Sequence, residues 1–143
     1  MSGARLGREW LAANLPHQGA MSLLEAIVAW DAARLTAVAT GHCDGDHPLR
    51  RGGELPIACA IEYAAQAAAA HGALLESRPS GPGMLVAVRS VEFHAPRLDD
   101  VGANLDIAVE SLGAGASGVL YRFDVSAGAR TLAAGRLTVA FQR

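Results

Sequence analysis

Residues 56–75 read PIACAIEYAAQAAAAHGALL, and this stretch decides the fold. It is rich in alanine, almost free of glycine and apolar on every side, and Pro56 stands where the first turn of a helix favours proline. The spacing predicts a helix from Pro56 to about Ser77, wrapped by other structure because no side of it is polar. At ~1.5 Å per residue it would be roughly 30 Å long, about the width of a small domain. Glu62, Gln66 and His71 interrupt the apolar run, which makes it a poor membrane span and a good buried helix.

On the N-terminal side, residues 5–14 suit a short helix, which LPHQG (15–19) breaks at Pro16. SLLEAIVAWD (22–31) and ARLTAVATGH (33–42) are short and apolar enough to be the strands of a hairpin. A polar loop, HCDGDHPLRRGGE (42–54), leads into the helix, and SRPSGPG (77–83) ends it. Four strand candidates follow: MLVAVRSVEFH (84–94), NLDIAVESL (104–112), GVLYRFDVS (118–126) and TLAAGRLTVAF (131–141). The last three alternate, placing Leu105, Ile107 and Val109, then Tyr121, Phe123 and Val125, then Leu137, Val139 and Phe141 on one face. Gly-rich turns join them as an antiparallel meander. Such a sheet, with one face to bury, can curl round the long helix; the expectation is an α+β hotdog fold of five to six strands.

The 143 residues suit one domain, 1–143, with roughly two thirds of the unfolded surface available for burial. About half the residues are apolar and 18% are charged, a balance that excludes a disordered polyelectrolyte. A net charge of −2 offers no general attraction to nucleic acid. All 12 basic residues are arginines, which suit bidentate phosphate contacts. Only Cys43 and Cys59 occur, and MSGARLGREW lacks the apolar core of a signal peptide, so a reducing, cytoplasmic setting is expected.

Glu62 is the sharpest chemical signal, since no other carboxylate lies within the helix until Glu76. A desolvated carboxyl tends to hold its proton, and a neutral acid in a pocket can protonate a leaving hydroxyl. The bland alternative is a glutamate that reaches solvent or pairs with an arginine. Gln66, one turn on, could hydrogen-bond Glu62 or a main-chain group, and a structural role suits it better than a chemical one. His71 reads as a satisfied histidine or a cation near the helix end. GHCDGDHP (41–48) gathers metal-ligand types, but at no zinc or calcium spacing, so no metal is expected. His42 or His47, placed just before the helix, could instead act as a general base near neutral pH. GAGASG (113–118) matches GxGxxG yet lies between strands and opens no helix, which makes it a hairpin turn. No partner for His94 is visible. Arg50, Arg51, Arg89, Arg97 and Arg136 could each contact a phosphopantetheine, a CoA phosphate or an acidic carrier protein; Arg50 and Arg51 stand out as a pair.

These residues resemble the beta-hydroxyacyl-acyl-carrier-protein dehydratase family, and most of all the dehydratase-like hotdog proteins of aryl-polyene and xanthomonadin-type pigment synthesis. LPHQGAMSLLEAI (15–27) is similar to the family's LPH opening, and HPLRRGGELPIACAIEYAAQA (47–67) to its His-Pro loop and helix. VEFHAPRL (91–98) and GRLTVAF (135–141) are similar to its later strands. By position, Glu62 matches the acidic catalytic residue and Gln66 the glutamine four residues on. His47 matches the catalytic histidine at a spacing one residue longer, while in the pigment-type relatives a histidine at the place of His42 is the more regular feature. His17 matches the LPH histidine at the site mouth.

The resemblance implies dehydration of a 3-hydroxyacyl thioester, on acyl carrier protein or CoA, to a trans-2-enoyl thioester. The acyl chain would lie in an apolar tunnel beside the helix, and N–H groups around Ile57, Ala58 and Cys59 would polarise the thioester carbonyl. No metal or redox cofactor is implied, since the pantetheine belongs to the substrate. Two protomers of this family join their sheets edge to edge, and each site takes histidine from one chain and acid from the other. A homodimer or a heterodimer with a related hotdog subunit is therefore expected, with no membrane or nucleic-acid partner. Two rival functions are a hotdog acyl thioesterase and a non-catalytic subunit of a heteromeric dehydratase.

Overall fold

The computed structural model describes residues 5–77, 83–116 and 118–141. A short helix, α1 (Arg8–Asn14), precedes β1 (Ala26–Trp30) and β2 (Arg34–Ala39). The long helix α2 (Ala60–Glu76) comes next, and then β3 (Gly83–Phe93), β4 (Leu105–Gly115), β5 (Gly118–Ala127) and β6 (Arg130–Phe141). The strands form one antiparallel sheet in the order β1-β2-β4-β5-β6-β3, and α2 packs on β2, β4, β5 and β6. This is the expected hotdog arrangement.

Alternation decides the inner face of the sheet. Leu105, Ile107, Val109, Tyr121, Phe123, Val125, Leu137 and Val139 are all buried, as their period of two requires, while the Phe141 side chain falls outside the described set. Each such side chain contributes roughly 1.5–3 kcal/mol on leaving water. Against them α2 sets Tyr63 together with Ala60, Ala64, Ala67, Ala68, Ala70 and Ala73, and the small alanine side chains let helix and sheet approach closely. His71 is buried among them and satisfied: one ring nitrogen meets Asp31 O and the other the Tyr121 hydroxyl, both at 2.9 Å.

Both hairpin strands are shorter than the stretches that announced them, β4 runs on to Gly115, and both helices start later than the sequence reading placed them. Helix α2 starts at Ala60 instead of Pro56, which is extended at φ −61 and ψ 149 and leads into a 3₁₀ turn over Ile57–Cys59. The backbone here is engaged sideways: Ile57 N–H donates to Pro96 O and Leu98 N–H to Leu55 O, so it cannot join the helical ladder. Helix α1 starts at Arg8 because Leu6 pairs with Ile27 at the outer edge of β1. Ser77, left-handed at φ 55, stops α2, and most of the expected loop SRPSGPG lies outside the described residues. Strand β3, at the other end of the sheet, pairs only with β6 among the described residues. Among those residues no helix is long and apolar enough to cross a membrane.

Candidate active site

The start of α2 is held by ion pairs and backbone contacts. Asp99 accepts the Leu55 N–H at 2.8 Å, and Arg97 contacts Asp99 and Glu54. The Arg97 guanidinium, followed by the Leu55 N–H, holds the Asp99 carboxyl well below the usual carboxylate range. Of the three N–H groups expected to polarise a carbonyl, two are spent: Ile57 donates to Pro96 O and Cys59 to Pro56 O. Among the described residues no acceptor meets the Ala58 N–H, and Ala58 is exposed.

Glu62, in the first turn of α2, follows Ala58 of the 3₁₀ turn by four residues, and it is exposed. This corrects the expectation of a carboxyl sunk in an oily interior. The buried side of α2 runs through Ala60, Tyr63, Ala64, Ala67 and Ala70, which leaves Glu62 exposed near the start of the helix and Glu76 at its end, while along the line between them Ala65 and Gly72 are partly buried and Ala69 is buried. The exposed start of the helix thus carries an N–H with no acceptor among the described residues and a carboxyl four residues on.

Neither His42 nor His47 hydrogen-bonds Glu62 within the chain. The imidazole that feels its charge is His17: burial pushes His17 below the ordinary imidazole value, and Glu62 pulls the other way. His17 Nδ1 is buried with no hydrogen-bond partner among the described residues. Glu62 also acts on the Cys59 thiol, which burial, with Glu62 second, pushes up.

In the loop 41–48, His42 is 2% exposed, with Nε2 2.8 Å from Val101 O. A carbonyl can only accept, so Nε2 carries the proton, and Nδ1 is a buried lone pair with no partner among the described residues. His47 is committed at both nitrogens: Nδ1 accepts the Leu49 N–H at 3.1 Å, and Nε2 lies 3.0 Å from the Tyr63 hydroxyl. Cys43 Sγ shares Val101 O with His42. His47 and Tyr63 border a cleft of about 200 Å³, together with Arg8, Ser22, Asp44 and Asp46. Sequence reading missed Tyr63, although a tyrosine in an alanine-rich helix has a hydroxyl that needs a partner.

Gln66, expected to play a structural role, and Arg50, expected to contact a phosphate, are both occupied. Gln66 is 1% exposed; its Oε1 accepts the Leu23 N–H at 2.9 Å and its Nε2 donates to Met21 O at 2.7 Å. It therefore pins the segment after LPHQG to α2, the main-chain alternative to bonding Glu62. Arg50 donates to Asp44 O at 2.8 Å, Cys43 O at 3.0 Å and Gly53 O, with Asp99 3.8 Å away, so its guanidinium is engaged by its own loop. Arg97 is likewise held by Asp99 and Glu54, whereas Arg51 is exposed. His94 lies 3.6 Å from Glu92.

A family model described as ApeP-like, ApeP dehydratase, matches residues 10–142. Among solved structures, the dehydratase heterocomplex ApeI:P from Xenorhabdus doucetiae is similar at 27% identity and a TM-score of 0.80, over 93% of this chain and 91% of that one. AziG of S. sahachiroi shares the fold at 19% identity and a TM-score of 0.59, over 86% and 93%. A mutant thioesterase from Pseudomonas aeruginosa shares it at 15% and 0.57, over 82% and 80%. No curated protein sequence matches the chain.

Proposed function

Because the chain belongs to the ApeP-like dehydratase family, we propose that it supplies the acid of a site that removes water from a 3-hydroxyacyl thioester. The observation that carries this reading is the exposed start of α2, where the Ala58 N–H of the preceding 3₁₀ turn, with no acceptor among the described residues, and the Glu62 carboxyl lie four residues apart. A thioester carbonyl bonded to Ala58 N–H, at the positive end of the helix, has its α-proton acidified. The hydroxyl on the next carbon then falls towards Glu62. An imidazole takes the α-proton, the C–H electron pair forms the double bond, and the hydroxyl leaves with its bonding pair and a proton from Glu62. The products are water and a trans-2-enoyl thioester.

The imidazole reaches this face from an adjoining subunit, in line with the family resemblance. Of this chain's two loop histidines, only His42 keeps a ring nitrogen free to accept a proton. A carboxyl donates its proton well only where water is excluded, and a covering subunit supplies that exclusion. The thioester is carried by acyl carrier protein or CoA, with Arg51 available to its phosphate. The similar ApeI:P structure is a heterocomplex, which favours a second reading: this chain as one subunit of a heteromeric dehydratase whose base belongs to its relative.

Mass spectrometry of 3-hydroxyacyl-carrier thioesters tests both. The chain is assayed alone and with a related hotdog subunit from the same source. Glu62→Gln should lower turnover by about 100-fold or more in whichever preparation is active. Full dehydration by Glu62→Gln sinks the assignment of the acid. Activity confined to the mixture, and unaffected by His42→Ala, places the base on the other subunit.

A further inference from the structure

The loop 41–48 holds two histidines, and their hydrogen bonds are not equivalent. His47 Nδ1 accepts a backbone N–H, that of Leu49, at 3.1 Å. An amide N–H cannot accept, so this nitrogen must keep its lone pair and the proton of the neutral ring must sit on Nε2. Nε2 lies 3.0 Å from the Tyr63 hydroxyl, so it donates and the tyrosine oxygen accepts. The two rings are tilted by 31° with centroids 6.2 Å apart, which brings ring nitrogen to hydroxyl edge to edge without stacking. Tyr63 is 1% exposed and sits in the first turn of α2, next in sequence to Glu62.

Among the described residues this is the only hydrogen bond from the loop 41–48 to α2; Arg50 ties the loop to itself and to Gly53, and His42 ties it to Val101. We propose that His47 is a positioning residue and not a proton carrier: locked as its Nε2–H tautomer, it grips the Tyr63 hydroxyl. That grip fixes the loop bearing His42 against the helix bearing Glu62. The inference deepens the dehydratase reading and rests on it for its activity arm only.

Two further observations agree with the assignment. Burial, and then the Arg50 guanidinium, push His47 below the ordinary imidazole value, against the pull of Asp44 and Asp46, so the ring is neutral at neutral pH. Burial pushes the Tyr63 phenol up, so it stays a neutral acceptor over the same range. Protonating His47 would put a second N–H against that of Leu49 and break the lock. A general base needs a lone pair free to take a proton, and the one on His47 Nδ1 is engaged by the Leu49 N–H.

The two arms of the test fail separately. Long-range ¹H–¹⁵N spectra of the wild-type chain should show His47 with a bare Nδ1 and a protonated Nε2. A ring protonated on Nδ1 at neutral pH overturns the inference, whatever the activity. In the active preparation His47→Ala should lower turnover about tenfold, and Tyr63→Phe should do the same by removing the acceptor. His47→Gln, whose amide can donate from the place of Nε2, should recover turnover to within about threefold of wild type. A glutamine cannot act as a base, so a His47→Gln enzyme as dead as a base knockout, down about 100-fold or more, also overturns it. The acid limb of the pH–rate profile should survive in His47→Gln, and its loss would count against positioning. If no wild-type preparation dehydrates any 3-hydroxyacyl thioester, the dehydratase reading fails while the spectra still decide the tautomer.

Discussion

The Gln66 amide is spent on architecture: its two ends hold Met21 O and the Leu23 N–H, and truncation would strand both. Gln66→Ala should therefore lower stability by about 2 kcal/mol or more in urea denaturation, and a change below about 0.5 kcal/mol would show that water replaces the amide freely. Histidines give the pH dependence. His17 and His47 are both held below the ordinary imidazole value by burial, so their folded pKa values lie below the unfolded one. Their contribution is fully present above about pH 6.5 and is lost as the pH falls through the folded values. Asp99 and Asp31, also held low, extend the loss below about pH 4, with Asp124, pushed up by burial, acting weakly in the opposite sense. The urea midpoint should be nearly level from about pH 7.5 to about 6.5 and drop between there and about pH 5, and a flat profile would contradict the burial of these two rings. At this scale the residue types were legible and their surroundings were not. Glu62 was recognisable as the odd carboxylate of the helix, but alanine on every side leaves no polar stripe to say which face meets water. His47 and Tyr63 are 16 residues apart, and nothing in their spacing announces that they meet.

Alternation, a local property, marked β4, β5 and β6, while short apolar runs marked the other strands and the alanine-rich stretch the central helix, so the elements were legible even where their bounds were not. The order in which strands pair was not, because β3 crosses to the far side of β6 and only tertiary packing of the α2 face selects that neighbour. Irregularities were invisible for a similar reason. The pairing of β3 with β6 shifts between Arg89 and Glu92, and Ser90 within that bulge is left-handed at φ 53. The bulge presses Val91 onto Gly135 of β6, where an added Cβ would lie 2.9 Å from Val91 Cα, closer than carbon atoms pack. Glycine is needed there for space, since its φ is not in the left-handed region. Gly135→Ala should cost about 1–3 kcal/mol by forcing strand β3 outward at the bulge, measurable as a lowered melting temperature. An unchanged melting temperature would mean that the bulge can relax without loss. Because β3 is the outer strand, the same substitution should also raise amide exchange in β3 ahead of β4 and β5.

At the scale of the whole molecule, two surfaces look unfinished in a single chain. Leu6 covers the outer edge of β1, but β3 presents an 11-residue edge with no neighbour among the described residues, and exposed Leu85 and Phe93 lie on it. Long, uncovered edges invite pairing with another chain. The solvent side of α2 and of the 3₁₀ turn before it is the second surface: exposed Ala58 and partly buried Ala65 and Gly72 are small enough for another backbone to approach closely, and Glu62 stands among them. If a second subunit covers this face, a bulky cation in its middle should prevent the approach, whereas in bulk water it should cost almost nothing. Ala65→Arg is the discriminating substitution, since Ala65 is only partly buried and its replacement leaves the core of α2 intact. Sedimentation of the wild type, alone and with a related hotdog subunit, should show an assembly larger than one chain. Ala65→Arg should shift it towards the single chain while moving the melting temperature of that isolated chain by only a few degrees. Turnover should fall in step with assembly, because Glu62 then remains in water and the imidazole from the adjoining subunit has nowhere to dock. An Ala65→Arg protein that assembles and dehydrates normally would place the subunit contact elsewhere and leave the exposed carboxyl without its cover.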